Sequence, residues 1–189
     1  MGLEEFYKEL SYVNASRKNR SKYAKMVLND LSLFPKLIEV LFMVDDKVSC
    51  RAAWVFEFVC AEYIYVIVPY LDTFTKNLKK IRFDSAVRPV AKVCGFIAND
   101  YYSKRPNTLQ KMLTPTHKKL IIEACFDWMI SDHKVASKAY AMETLYLFGK
   151  ENDWIHPELT LILEQDFPTQ SAGFKARARR TLKKMKLSL

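Results

Sequence analysis

Glycine and proline are scarce in this sequence, with only 4 and 7 of them among 189 residues. An all-β fold needs a turn after each short strand, and these two residue types build most turns. A glycine-rich phosphate-binding loop needs several glycines close together, and no such cluster occurs. The composition therefore leaves little material for an all-β fold or for a phosphate-binding loop of this kind.

Cysteine is also rare, and its spacing does not fit a metal site. Cys50, Cys60, Cys94 and Cys125 form no CxxC pair, and no histidine stands at metal-ligand spacing from them. A redox or zinc site is the functional alternative, but we favour four buried, small apolar residues. We therefore predict no metal, no other cofactor and a cytoplasmic location, where thiols stay reduced.

Sequence signals for export or membrane insertion are missing as well. The N-terminal residues MGLEEFYKEL are acidic and amphipathic, without the basic and apolar regions of a signal peptide. The most apolar stretch, residues 52–71, contains Glu57, Glu62 and Pro69. Two carboxylates and a proline favour a buried pair of helices over a membrane span, so we expect no membrane association.

The feature that runs through the whole chain is helical periodicity. Hydrophobic residues make up 50% of the sequence and recur at spacings of three and four, as at Leu37, Val40, Leu41 and Val44. Prolines and polar turns interrupt this pattern at regular intervals. Helices are predicted near residues 3–13, 16–31, 34–44, 47–63, 70–80, 85–102, 116–131, 134–149, 157–165 and 171–186. We predict a single all-α domain over residues 1–189.

Several of these segments share a local pattern. A short polar turn is followed by a small or β-branched residue, then a basic residue and a small residue. The basic residues of the pattern are Arg51, Arg88, Lys138 and Lys175, at intervals of 37, 50 and 37 residues. Such periods suit two-helix repeats stacked as a solenoid, with an insertion around residues 101–116 in the longer interval.

This pattern of a turn Asp, then Val, a basic residue and Ala resembles that of HEAT repeats over residues 33–188. The resemblance implies a right-handed α-α superhelix (ARM-type) of about five helical pairs, in which the second helix of each pair lines a concave surface. It also implies that turn aspartates and basic residues tie one repeat to the next. The residues at these inter-repeat positions are Asp46, Arg51, Asp132, Lys138 and Lys175.

The whole chain is also similar to short HEAT-like bacterial proteins, some of which carry the name adenylosuccinate lyase. That name implies a fumarate-releasing enzyme. True members are far longer, and their flexible signature loop of Ser, Met, Pro, Lys and Asn has no counterpart in this sequence. Their tetrameric active site is built from three subunits, which a short solenoid does not readily form. We therefore rank the lyase activity last.

Positive charge is concentrated in two blocks that flank an acidic one. Residues 1–72, 73–122, 123–167 and 168–189 carry net charges of −1, +9, −6 and +7. Basic residues near aromatics suit a phosphate backbone, whereas the alternative is a solvated face that favours the helix dipole. The candidates for a concave or anion-binding surface are Arg88, Lys92, Arg177, Arg179, Arg180 and Lys183.

HEAT-like alkylpurine DNA glycosylases suggest a sharper hypothesis, because they hold damaged DNA in a basic concavity with aromatics and a carboxylate. Trp128 and Asp132 are four residues apart, which places them on one face of a predicted helix. The structural alternative puts Trp128 in the core and makes Asp132 the N-cap of the helix near residue 134. We favour this alternative.

The remaining polar residues are predicted to have structural roles. The three histidines, His117, His133 and His156, stand at element boundaries, where exposed turn positions are common. Glu57 lies in an otherwise apolar helix, so it is either paired or exposed on the concave side. We prefer a salt bridge from Glu57 to Arg88 or Lys92 of a neighbouring repeat.

The sequence therefore predicts a noncatalytic scaffold whose concave surface binds a macromolecule, with a protein as the preferred partner. The alternative is a nucleic-acid-binding protein, with or without glycosylase activity. No residue is assigned a catalytic role.

Overall fold

The computed structural model describes residues 1–187, and this part of the chain contains helices but no β-strand. The predicted all-α class is confirmed. The α-helices are α1 Leu3–Leu10, α2 Arg17–Asn29, α3 Phe34–Leu41, α4 Val48–Glu62, α5 Leu71–Asn77, α6 Asp84–Tyr101, α7 Thr108–Met112, α8 Pro115–Ile130, α9 Val135–Phe148, α10 Ile155–Asp166 and α11 Ala172–Lys186. Short 3-10 helices cover Leu31–Leu33, Ile64–Tyr70 and Leu78–Lys80.

All ten predicted helices are present, with ends that shift by at most about three residues. The region around residues 101–116, predicted as an insertion, contains the additional helix α7. Its start is stabilised by a reciprocal capping box, in which Asn107 and Gln110 each bind the other's backbone N–H. The 3-10 helix Ile64–Tyr70 was also not predicted, because an apolar run with one proline gives no distinct signal for it.

Five helices form a row in which each packs against the next: α2, α4, α6, α9 and α11. We call this series the central row. The other long helices flank it, with α3 against α4 and with α8 and α10 against α9. Small buried residues such as Ala52, Ala91, Gly95 and Ala141 let neighbouring helices of the row approach closely. Helices α4, α6 and α9 are therefore buried on more than one side.

The four cysteines lie in this core. All are buried and free, as predicted. Burial raises the pKa of the Cys60, Cys94 and Cys125 thiols, so they stay protonated and pack as small apolar side chains.

No single helix within residues 1–187 has both the length and the apolar composition of a membrane span. Only Val48–Glu62 and Ile64–Lys80 taken together reach that length and composition, and they are bent by 116° at their junction.

The prediction that the histidines occupy exposed positions is wrong. His117 is only 8% exposed, and its Nε2 lies 2.6 Å from the carboxylate of Asp72. His133 is partly buried, with its Nδ1 2.7 Å from Asp84 Oδ1. Both side chains connect helices that are distant in sequence, because an imidazole at a helix end can reach a carboxylate on the adjacent helix.

His156 explains the glycine at position 149. Its ring stacks on Tyr146, with 5.7 Å between ring centres, and its Nε2 lies 2.9 Å from the Tyr146 carbonyl oxygen. A Cβ atom on residue 149 would stand 2.1 Å from the ring Cδ2, which is far inside van der Waals contact. The tight end of α9 therefore requires glycine for space.

We expect Gly149→Ala to lower the free energy of unfolding by about 1–3 kcal/mol, since it overpacks a ring fixed by stacking and a hydrogen bond. Chemical denaturation monitored by circular dichroism measures this loss. The double variant Gly149→Ala/His156→Ala is the control. Its free energy of unfolding should almost equal that of His156→Ala alone, because the imidazole that collides with the new Cβ is absent. An equal cost of Gly149→Ala with and without the imidazole would contradict this explanation.

Candidate functional site

Asp46 and Arg51 join the first helices of the chain to α4. The Tyr7 hydroxyl donates to Asp46 Oδ2 at 2.5 Å, and the Val48 N–H donates to Asp46 Oδ1 at 2.8 Å. Arg51 donates to the backbone carbonyl of Ser11, immediately after α1. Both residues thus make contacts between successive parts of the helical array.

The same hydrogen bonds make the contribution of Asp46 to stability depend on pH. The bonds from Tyr7 and Val48 hold its pKa below the ordinary value of 3.8. A lowered folded-state pKa stabilises the protein above pH 3.8, and this stabilisation is lost as the pH falls through the lower value.

We therefore expect Asp46→Ala to cost about 1 kcal/mol at neutral pH, as the loss of a helix-start hydrogen bond does. The difference from the wild type should begin to shrink below pH 3.8 and disappear as the pH falls through the lowered pKa of the folded-state carboxyl. Urea denaturation at pH 7 and at acidic pH measures both values. A difference that does not change with pH would show that the carboxylate charge is not involved.

The other residues placed at inter-repeat positions behave differently from one another. Lys138 is buried, and its Nζ lies 3.9 Å from Asp166 at the end of α10. Lys175 donates to the Pro168 carbonyl oxygen at 3.2 Å, within the α10–α11 connection. Asp132 is exposed and has no hydrogen bond or ion pair within residues 1–187. A local contact thus replaces the expected inter-repeat contact at Lys175, and none is formed at Asp132.

The helix face predicted for Trp128 and Asp132 does not exist. Helix α8 ends at Ile130, so Asp132 lies beyond it, and Trp128 is only 3% exposed. The predicted N-cap role of Asp132 is also wrong, because Lys134 is the N-cap residue of α9 and this helix start has no side-chain cap bond. Trp128 is therefore a core residue, and its ring is not available to stack on a nucleobase.

Glu57 forms the salt bridge that was predicted for it, and it does so with both candidates. Its Oε1 lies 2.6 Å from Lys92 Nζ, and its Oε2 lies 3.3 Å from Arg88 Nη2. The carboxylate is 3% exposed, whereas the two cationic side chains on α6 are partly exposed. One buried negative charge is thus balanced by two cations at the surface, and the group keeps a net positive charge.

The two basic blocks of the sequence differ in how far they are neutralised. In residues 73–122, seven of the eleven basic residues pair with carboxylates. They are Lys76, Lys79, Arg82, Arg88, Lys92, Lys118 and Lys119. In α11 only Lys184 has such a pair, with Glu143 at 2.6 Å, among the carboxylates of residues 1–187. Of the two blocks, the terminal one therefore keeps more cations without a carboxylate partner within residues 1–187.

Two clefts open along the central row. The first has a volume of about 280 Å³ and the second of about 530 Å³, and Ala136 contributes to both. The first is lined by Ala15, Arg20, Trp54, Asp84, Ser85, Arg88, Lys134, Ala136 and Ser137. The second is lined by Val135, Ala136, Ala139, Tyr140, Glu143, Gly173, Arg177, Arg180 and Thr181. We call the surface formed by these two clefts, which meet at Ala136, the row surface.

Three of the predicted anion-binding residues lie on the row surface. Arg88 lines the first cleft, and Arg177 and Arg180 line the second. Lys92 stands over the rings of Phe96 and Tyr140, at 5.5 and 5.9 Å from their centres. Tyr140 also lines the second cleft, which places Lys92 at its border.

Arg179 and Lys183 do not line either cleft. The Arg179 guanidinium lies 5.0 Å from the centre of the Phe167 ring, beside the α10–α11 connection. Positions 177 and 179 are separated by about 200° around the helix, so their side chains point in opposite directions. Lys183 is exposed and forms no ion pair with a carboxylate of residues 1–187. The terminal block is therefore divided between two faces of α11.

Arg20 is a cation of the row surface that the sequence did not reveal. It is the fourth residue of α2, as Arg51, Lys138 and Lys175 are the fourth residues of their helices. Its guanidinium lies 4.9 Å from the centre of the Phe58 ring. The interval of 31 residues to Arg51 departs from the other spacings, so periodicity alone does not identify it. Its position as the fourth residue of a helix would have identified it.

Trp54 is fixed in the first cleft by a proline on the neighbouring helix. Pro89 has no N–H to donate to the carbonyl of Ser85, four residues earlier in α6. The indole Nε1 of Trp54 donates to this carbonyl oxygen instead, at 2.8 Å. The ring is thereby held against α6 at the wall of the cleft.

The described residues contain no cluster of three or more His, Cys, Asp or Glu side chains arranged to hold a metal ion. Comparison of the chain with protein-family models, curated proteins and solved structures finds no match.

Proposed function

We propose that the chain is a noncatalytic binding scaffold built as a HEAT-like, right-handed α-α superhelix of about five helical pairs. The pairs would be α1/α2, α3/α4, α5/α6, α8/α9 and α10/α11, with α7 as the insertion. The series of contacts along the central row supports this assignment, because each second helix packs against the second helix of the next pair. The four free thiols suit a cytoplasmic location, which is part of the proposal.

The row surface is the concave binding surface in this proposal, and its partner is an anionic macromolecule. The observation that carries the proposal is the group Arg20, Arg177 and Arg180. These arginines line the two adjoining clefts of the row surface, and none pairs with a carboxylate of residues 1–187. A positive surface that is not neutralised internally attracts and retains an anionic partner.

The carboxylates of this surface support a binding role without catalysis. Asp84 and Glu143, which line the clefts, are held by His133 and Lys184, and the buried Glu57, whose partner Arg88 lines the first cleft, is held by two cations. A general acid or base must reach the proton that it transfers, and these three groups are occupied by structural partners.

Fluorescence anisotropy with four labelled ligands tests the proposed function. The ligands are single-stranded DNA, double-stranded DNA, RNA and polyglutamate of matched charge, each at about 50 and about 200 mM salt. We expect binding of at least one polyanion, with an affinity that falls steeply as salt increases. The absence of binding to all four ligands at low salt would overturn the proposal.

A further inference from the structure

We propose that the first cleft of the row surface binds one phosphodiester group of a single-stranded nucleic acid. This inference rests on the proposed function and names the class of its partner. It concerns a cleft at the starts of three long helices, α2, α6 and α9, which contribute Arg20, Ser85 and Ser137 to its walls.

The charges around the cleft favour an anion. Arg20 and Lys134 line it, as does Arg88, which also binds the buried Glu57, and Asp84 is the single carboxylate among its lining residues. The Asp84 carboxylate is engaged by His133 at 2.7 Å and by the Lys134 N–H at 3.4 Å. Helix starts add partial positive charge, because their first N–H groups point outward. The volume of about 280 Å³ exceeds that of several water molecules, at about 30 Å³ each, and so has room for a phosphoryl group.

Two polar atoms on residues that line this cleft are buried and lack a hydrogen-bond partner within residues 1–187. They are Ser137 Oγ, on a residue that is 0% exposed, and Arg20 Nε. A buried polar group without a partner costs about 1–3 kcal/mol, so native structures rarely retain one. Arginine only donates, and the serine hydroxyl is able to donate. A ligand that satisfies both must offer several acceptors at once, which an oxyanion does.

The aromatic wall of the cleft distinguishes a nucleic acid from an acidic peptide. Trp54 is partly buried and held in place by its bond to Ser85, so its ring needs no ordering when a ligand binds. The Arg20 guanidinium packs over the Phe58 ring, 4.9 Å from its centre. A fixed indole next to a phosphate-binding group is the arrangement with which proteins stack the bases of single strands.

The test compares Arg20→Gln with Lys18→Gln in binding to labelled single-stranded DNA at low salt. Both changes remove one positive charge from α2, but Lys18 lies on a different surface, next to Lys22 and Glu9. We expect Arg20→Gln to weaken binding about tenfold and Lys18→Gln by less than about twofold, as a charged hydrogen bond contributes more than a distant charge. Equal losses in the two variants would overturn the inference.

Ser137→Ala separates a ligand contact from a role in folding. Because it removes a buried hydroxyl without a partner, it should leave the thermal midpoint unchanged or raise it. It should nevertheless weaken DNA binding about threefold or more. Inorganic phosphate added at constant ionic strength should raise the thermal midpoint of the wild type and not that of Arg20→Gln. Wild-type affinity in Ser137→Ala, or equal stabilisation by phosphate in both proteins, would overturn the inference.

The source of the anion is tested with two further ligands. A strand of the same sequence with neutral methylphosphonate linkages should not bind, and polyglutamate should bind without dependence on Arg20. Polyglutamate binding that is weakened by Arg20→Gln would overturn the nucleic-acid assignment. If the wild type binds DNA and the cleft variants bind equally well, the cleft assignment fails while the proposed function stands. If the wild type binds no polyanion, the proposed function itself fails.

Discussion

Replacing Arg88 and Lys92 together by methionine should lower the free energy of unfolding by about 3–5 kcal/mol, the usual cost of leaving a buried charge without partners. Glu57 is 3% exposed, and its two oxygens accept from these two cations at 3.3 and 2.6 Å. Without them the carboxylate would have to be protonated or drawn into water, and either change disturbs the contact between α4 and α6. Urea denaturation at pH 7 measures the effect.

Replacing the carboxylate instead of the two cations should lower the free energy of unfolding much less. In Glu57→Gln the cations remain, but their side chains are 38% and 30% exposed and are able to turn toward water. The triple variant Glu57→Leu/Arg88→Met/Lys92→Met should recover most of the lost stability, because apolar residues of similar size replace buried ion pairs at little cost. A loss in Glu57→Gln as large as in the double variant, or no recovery in the triple variant, would contradict this asymmetry.

The Glu57 salt bridge was predictable from the sequence because an ionised group in an apolar helix requires a partner. The helices were predictable for a similar reason. Apolar residues at spacings of three and four lie on one face of a helix, and that face can be buried in the core. These features depend on what a residue needs within its own element. A physical requirement that is local and strong can therefore be recognised in the sequence.

Other features depend on where distant residues meet. Lys79, Arg82 and Lys118 are neutralised by acids from distant segments, as Lys79 is by Glu123 and Asp127. No spacing in the sequence encodes these pairs. The bond from Trp54 to the carbonyl released by Pro89 likewise joins two helices. The five-residue helix α7 is too short to show a period.

The effect of the terminal block on binding should depend on which face of α11 is changed. Arg177 and Arg180 line the second cleft, together with Tyr140 and Glu143. Replacing both by glutamine removes two cations from the row surface, and we expect affinity for a single-stranded polyanion to fall at least tenfold at low salt. The slope of log affinity against log salt should fall by about 1.4, because each phosphate contact on a single strand contributes about 0.7.

The matched control is Arg179→Gln/Lys186→Gln, which removes the same charge from the same helix. Arg179 faces Phe167, and Lys186 lines a separate pocket with Leu161 and Leu182 between α10 and α11. If contact on the row surface determines binding, the affinity of this control should fall by less than about threefold. Its slope of log affinity against log salt should equal that of the wild type, since only long-range attraction changes. Equal losses in the two double variants would show that the net charge of α11, and not its position on the row surface, attracts the ligand. Because all four substituted side chains are exposed, we expect similar unfolding curves for both variants, so the binding difference will not reflect folding.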